Sequence, residues 1–195
     1  MNRILNAMKF AAEKHRHQRR KNADATPYIN HPIEVTEILA RVGGISDEEV
    51  LIAGLLHDTV EDTETTIEEL VSGYGERVAR IVQECTDDKS LEKSERKRLQ
   101  IVNAPHKSPE AKCVKLADKS SNLASILVDP PAGWSLQRQL EYFAWAEQVI
   151  NGLLGVNPGL DSHVLELLAR GRAKLGATEG TTGLLGLPAI RSSYL

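Results

Sequence analysis

The sequence predicts an all-α domain, and three observations carry that expectation. Apolar residues recur three and four apart along most of the chain, convincing alternating strands are absent, and the breaks hold the residues that start and stop helices. A length of 195 residues suits one domain with a sizeable core, or one domain plus a tail. Hydrophobic content of 41% and charged content of 26% are ordinary for a soluble globular protein, so no membrane or disordered class competes.

Each element has its own warrant. Met8, Phe10, Ala11 and Ala12 give the first segment an apolar side, ahead of a basic stretch from His15 to Lys21. Pro27 and Pro32 punctuate a loop over residues 22–32. Residues 33–42 read as a helix with Ile38 and Leu39 inward, stopped by Gly43 and Gly44. Ser46 and Glu49 have capping-box spacing and open the helix that carries His57 and Asp58. Thr65 and Glu68 repeat the signature for a short helix ending near Gly73. Val78, Ile81 and Val82 mark the next, over 75–85.

A charged loop over 86–89 leads into a basic helix at 93–102, and Pro105 and Pro109 separate it from a helix over 110–127. After Pro130, Pro131 and Gly133 a long helix covers 135–154, and the turn Asn157-Pro158-Gly159 precedes a last helix at 160–170. The expectation is a compact bundle of about nine helices. Residues 1–171 form the domain, and the Gly- and Thr-rich residues 172–195 form a flexible tail.

Composition also excludes functions. A formal net charge of −3 gives no global basic field, so nucleic acid is not an expected partner and any anionic ligand needs local cations. Cys85 and Cys113 have no metal-like spacing and read as free thiols in a reducing compartment. No signal peptide is recognisable, and no apolar stretch approaches the roughly 20 residues that span a bilayer. The cytoplasm is the expected location, with no membrane and no obligate protein partner.

The chemistry concentrates at His57-Asp58-Thr59-Val60-Glu61-Asp62, at the end of the apolar run 50–56. On a continuous helix His57 would share a face with Glu61, and Asp58 with Asp62. Three carboxylates so close are costly without positive charge among them, and a divalent metal is the simplest answer. His31, before a helix, and Asp118, on an otherwise apolar face, complete a set of two imidazoles and two carboxylates. That set suits manganese, iron or zinc better than calcium. Taken singly, His31 is a loop histidine and Asp118 a solvated acid; together they form a constellation. His15, His17, His106 and His163 lack partners at metal spacing and read as surface or capping residues.

These segments resemble a known family. His15 to Lys21, Pro27 to Pro32, His57 to Thr63, Thr86 to Lys89, Glu95 to Lys97, Lys115 to Lys119 and Asn122-Leu123 are similar to the small alarmone hydrolases. These comprise the hydrolase half of the bifunctional RelA/SpoT proteins and the stand-alone Mesh1-type enzymes, all with the HD-domain helical fold. The resemblance covers about residues 10–154; the segment after Gly171 has no counterpart in it. It implies that His31, His57, Asp58 and Asp118 bind the metal, and that the metal is Mn²⁺. The implied reaction removes pyrophosphate from the 3′ position of guanosine tetra- or pentaphosphate, giving GDP or GTP. The chain has no room for the synthetase domain of the bifunctional relatives, so a stand-alone hydrolase is expected.

Glu61 and Asp62, one turn beyond two ligands, are placed to orient and deprotonate a water. Crowded carboxylates raise one another's proton affinity and a metal lowers it; a solvent-exposed helix end is the alternative for the pair. Arg20 and Lys21 lead towards His31, and the resemblance puts them at the substrate's phosphates. Lys93 and Arg138 are further cationic candidates, although basic residues on a helix usually form a solvated face. Asn122 should share a face with Asp118, and the resemblance assigns it to the substrate pocket. Tyr28 and Tyr142 could border the nucleoside, while Trp134 and Trp145 read as packing. Two other readings keep the same fold: an NADPH 2′-phosphatase or other nucleotide phosphohydrolase, and a non-catalytic alarmone-binding module.

Overall fold

The apolar stripes become helices along most of the chain in the computed structural model, which describes residues 2–179. The helices are α1 (Asn2–Lys14), α2 (Asn30–Arg41), α3 (Glu48–Leu56), α4 (Thr59–Asp62) and α5 (Ile67–Tyr74). They continue with α6 (Glu76–Cys85), α7 (Lys93–Asn103), α8 (Pro109–Val128), α9 (Leu136–Asn151) and α10 (Pro158–Glu179). A single 3-10 turn, Ala104–His106, joins α7 to α8. Among the described residues the β structure is one isolated bridge between Arg19 and Pro27. The all-α expectation holds, with one helix more than expected because the segment carrying His57 and Asp58 divides in two.

Boundaries moved for identifiable reasons. α2 begins at Asn30, so His31 and Pro32 occupy its first turn instead of the loop before it. Proline is at home there, because a first-turn N–H has no partner inside the helix. Asp47, not Ser46, caps α3 by accepting from Glu49 N–H at 3.0 Å. Thr66, not Thr65, caps α5 by accepting from Glu69 N–H at 3.2 Å. In both cases two adjacent residues have capping chemistry, and the extended backbone at the second selects it.

α10 runs on through the proposed boundary after residue 171, and Leu175 is buried. Gly171 is therefore an internal helix residue. A Cβ there would lie 2.0 Å from Phe143 Cε1, so its bare backbone is what lets the Phe143 ring lie against α10. The rest of the expected tail, residues 180–195, lies outside the described residues.

The core forms around α8, which packs against α2, α3, α6, α9 and α10. α3 is apolar on nearly every side, with Val50 and Ile52 through Leu56 all buried. Cys85 and Cys113 are free and buried, and burial pushes the Cys85 thiol up to about 12.

The approach of α2 to α3 sets where His31 and His57 meet. It depends on Gly54, where a Cβ would fall 2.7 Å from Leu39 Cδ1 and 3.0 Å from Thr36 Oγ1. Gly54→Ala is expected to destabilise the fold by about 1–3 kcal/mol through overpacking, read as a lowered melting temperature. An unchanged melting temperature would mean that the two helices can part at no cost.

Candidate metal centre and its cleft

α3 ends at Leu56 and α4 begins at Thr59, leaving His57 and Asp58 in the junction between them. Neighbours on a straight helix point about 100° apart, but in the junction both side chains reach the same point. His57 Nε2 lies 3.1 Å from Asp58 Oδ2. His31, from the first turn of α2, brings its Nε2 to 3.7 Å from Asp58 Oδ2 and 3.3 Å from Asp118 Oδ1. Asp118 comes from the middle of α8 and stands 4.0 Å from His57 Nε2. His31, His57 and Asp118 each offer a ligand atom within 4.8 Å of the others.

The chemistry of these donors fits a divalent cation. The Nδ1–H of His57 donates to the Gly54 carbonyl at 2.9 Å. That leaves Nε2 with its lone pair, buried and without a hydrogen-bond partner. Ser121 donates its hydroxyl to Glu34 Oε2 at 2.8 Å, so its oxygen accepts from His31 Nδ1 at 2.9 Å. Both imidazoles thus present Nε2 inward, the tautomer a metal-binding histidine needs. Burial lowers the proton affinity of His31; at His57 burial acts the same way, but Asp58 and Asp118 outweigh it and raise the pKa. Burial also works against the charge on Asp58 and Asp118. His57 and His31 nevertheless hold Asp58 well below the usual carboxylate range, as Lys119, Lys115 and His31 do for Asp118.

Tyr28 reaches this cluster directly. Its hydroxyl donates to Asp58 Oδ2 at 2.5 Å, and burial followed by the Asp58 charge raises its pKa far above the usual tyrosine value. Its ring packs on His15, with centroids 5.0 Å apart. His15 is buried, contrary to the surface reading, because its Nδ1 pairs with Gln18 Oε1 at 2.6 Å. Gln18 passes the contact on by donating to Asp62 Oδ2 at 2.8 Å, and Lys89 pairs with Asp62 Oδ1.

Glu61 and Asp62 part company. Asp62 lines a cleft of ≈ 640 Å³, with His31 at the floor. Glu61 is not part of that lining; it accepts the Asp87 N–H at 3.1 Å and lies 3.8 Å from Arg96. Burial raises the pKa of Glu61, helped by the charge of Asp87 and opposed by that hydrogen bond.

Arg20, Lys21, Tyr28, Asn122 and Tyr142 also line the cleft, as the sequence suggested. Asn122 donates to Asp118 Oδ1 at 2.6 Å and accepts from Arg20 at 3.4 Å; Arg20 also donates to Ser125 Oγ at 3.2 Å. The basic loop is pinned over the end of α8, by Ala132 N–H to the Lys21 carbonyl and by Asn22 to Asp129. Lys93 and Arg138 are absent from the lining. Lys93 is exposed at the start of α7, and Arg138 stacks at 4.6 Å on Trp134. Trp134, read as packing, itself lines the cleft. Trp145 does pack, donating its indole N–H to the Lys97 carbonyl at 3.1 Å.

A family model described as HD domain matches residues 7–141. The chain belongs to the HD-domain family. A zebrafish (Danio rerio) protein named guanosine-3′,5′-bis(diphosphate) 3′-pyrophosphohydrolase MESH1 is 55% identical over 172 residues, covering 88% of this chain and 96% of that one. The human protein of the same name is 56% identical over 164 residues, 84% of this chain and 92% of its own. A solved structure described as a metazoan ortholog of SpoT that hydrolyzes ppGpp superposes with a TM-score of 0.85 at 46% identity. It spans 87% of this chain and 96% of its own. An Aquifex aeolicus protein named guanosine-3′,5′-bis(diphosphate) 3′-pyrophosphohydrolase is 40% identical over 129 residues, 64% of this chain and 18% of its own length.

A cation held by this site must stabilise the fold. At a hundred times its Kd, a divalent ion should add about 2.7 kcal/mol, read as a rise in melting temperature that chelator reverses. His57→Ala and Asp118→Asn should each abolish the rise. An equal rise in both variants would place the ion elsewhere.

Proposed function

We propose that this chain is a Mn²⁺-dependent guanosine-3′,5′-bis(diphosphate) 3′-pyrophosphohydrolase, with His31, His57, Asp58 and Asp118 as the metal ligands. The observation that carries the reading is the meeting of two inward Nε2 atoms with Asp118, and with Asp58 beside them, behind a cleft that His31, Arg20 and Lys21 line. The names of the MESH1 relatives support the choice of substrate. One water adds across the bond between the 3′ oxygen and phosphorus. Guanosine tetraphosphate then gives GDP and pyrophosphate, and the pentaphosphate gives GTP and pyrophosphate. The activity belongs to the helical domain and is expected in the cytoplasm, with a small nucleotide as its partner; among the described residues no helix is long and apolar enough to cross a membrane.

A divalent cation at this site supplies charge that polarises phosphate oxygens and lowers the pKa of a water. Manganese lowers it less than zinc does, which leaves a task for a protein base. Asp62 is held at the cleft by Gln18 on one oxygen and Lys89 on the other. Glu61 has the raised proton affinity of a group that can accept a proton and release it later. Arg20 and Lys21 bind phosphate, and Asn122 couples Arg20 to the ligand Asp118. Tyr28 and Tyr142 border the nucleoside. Lys93 and Arg138 remain further cationic candidates for the substrate, although both lie off the cleft lining.

The first test incubates purified protein and Mn²⁺ with ppGpp in one tube and NADPH in another. GDP and pyrophosphate from the first, abolished by chelator, is the expected result; phosphate and NADH from the second alone would move the activity to cofactor dephosphorylation. Glu61→Gln and Asp62→Asn should lower turnover by about 10²- to 10⁴-fold with metal content unchanged. Lost metal would make either residue a ligand or a structural group. Lys21→Ala should raise KM more than it lowers kcat, and an unaltered KM would remove Lys21 from the phosphate site.

The raised pKa of Glu61 also sets a pH dependence. The base is active when deprotonated, so activity should fall as pH drops through the Glu61 pKa, which burial raises and a bound dication would lower. Glu61→Gln should flatten that acid limb, and an unchanged limb would assign it to another group.

A further inference from the structure

Asp118 presents its two carboxylate oxygens to different surroundings. Oδ1 faces the imidazoles and accepts from Asn122. Oδ2 faces two lysines, with Lys119 Nζ at 3.2 Å and Lys115 Nζ at 3.5 Å. Both lysines are buried, at 4% and 6% exposure, and neither lines the cleft. Lys115 also donates to the Cys85 carbonyl at 3.4 Å, at the C-terminal end of α6. Lys119 sits 4.9 Å above the Trp145 ring. Burying two ammonium groups is costly, and one carboxylate could be satisfied by fewer.

We propose that Lys115 and Lys119 are positioning residues of the metal centre: they occupy Asp118 Oδ2 so that Oδ1 alone is offered to the cation, and their charge keeps that cation weakly held and electron-poor. The inference rests on the ligand assignment made above. The first half follows from geometry, since an oxygen already paired with two ammonium groups cannot also close a bidentate chelate. The second half follows from charge. Asp58 and Asp118 contribute two negative charges and the lysines two positive, so the cluster is balanced before any cation enters. A dication then arrives against two fixed like charges, a penalty on the order of tenfold in affinity per lysine even at water-like screening. An exchangeable, strongly polarising ion suits phosphate hydrolysis better than a tightly neutralised one.

The test measures Mn²⁺ alone binding to chelator-stripped protein, with free ion followed by electron paramagnetic resonance. Lys119→Met and Lys115→Met keep much of the side-chain volume and delete the charge. Each should bind Mn²⁺ roughly tenfold tighter than the parent, and Lys119→Arg should match it. Merely structural lysines would give the opposite sign, because a loosened Asp118 weakens binding. Unchanged or weaker affinity in both methionine variants, with parental circular dichroism, would overturn the inference. Should one of the two fail to fold, the other decides. A parent protein that takes up no Mn²⁺ would sink the ligand assignment itself, an outcome separable from failure of the lysine effect alone.

Discussion

A carboxylate cannot stay ionised inside a helical core unless positive or hydrogen-bonding groups surround it, and this molecule is organised around that constraint at Asp118. α8 buries more residues than any other described helix, and beside Val114, Leu116, Ala117 and Leu123 it buries Lys115, Asp118, Lys119, Ser120 and Ser121. The helices packed on it contribute what those groups need. α2 supplies His31 and Glu34, the end of α6 supplies the Cys85 carbonyl, and α9 supplies the Trp145 face. The apolar residues close the bundle, while the polar line along α8 fixes the register in which it closes.

Charge is then sorted by depth. His31 connects the buried cluster of acids and imidazoles to the cleft, and the Arg20–Lys21 loop lines that cleft, tied to the chain after α8. An anionic nucleotide entering there would meet cationic side chains before the ligand carboxylates, an order that suits attraction from a distance on a chain whose net charge is −3. The path from His15 through Gln18 to Asp62, and the Tyr28 bond to Asp58, are the packed supports beneath that surface.

Much of this was legible in the linear chain. His31, His57, Asp58 and Asp118 stood out because acids and imidazoles bordering apolar runs are conspicuous, and the structure gathers all four. Helices marked by clear stripes, such as α6 and α9, fell close to their expected bounds. What stayed hidden was of two kinds. Where neighbours share a chemistry, as Ser46 with Asp47 or Thr65 with Thr66, only backbone conformation chooses between them. Where a polar residue is buried by tertiary packing, sequence does not reveal it: His15 read as a surface group, and nothing in the linear chain marked Lys115 and Lys119 as buried. Gly171 misled in the same way, since a glycine that starts a Gly-rich stretch and a glycine that admits an aromatic ring are spelt alike.

The junction at His57 and Asp58 has a consequence for anyone who would borrow this site. Because α3 stops at Leu56 and α4 starts at Thr59, two consecutive side chains converge on one point. The His-Asp dipeptide is thus inseparable from an interruption of the helix. Grafted onto an ideal, uninterrupted bundle, the same two letters would splay apart and yield half a binding site. A designer would have to import the corner with the pair, including the Gly54 carbonyl that orients the imidazole and the Thr59 hydroxyl bonded back to Leu56.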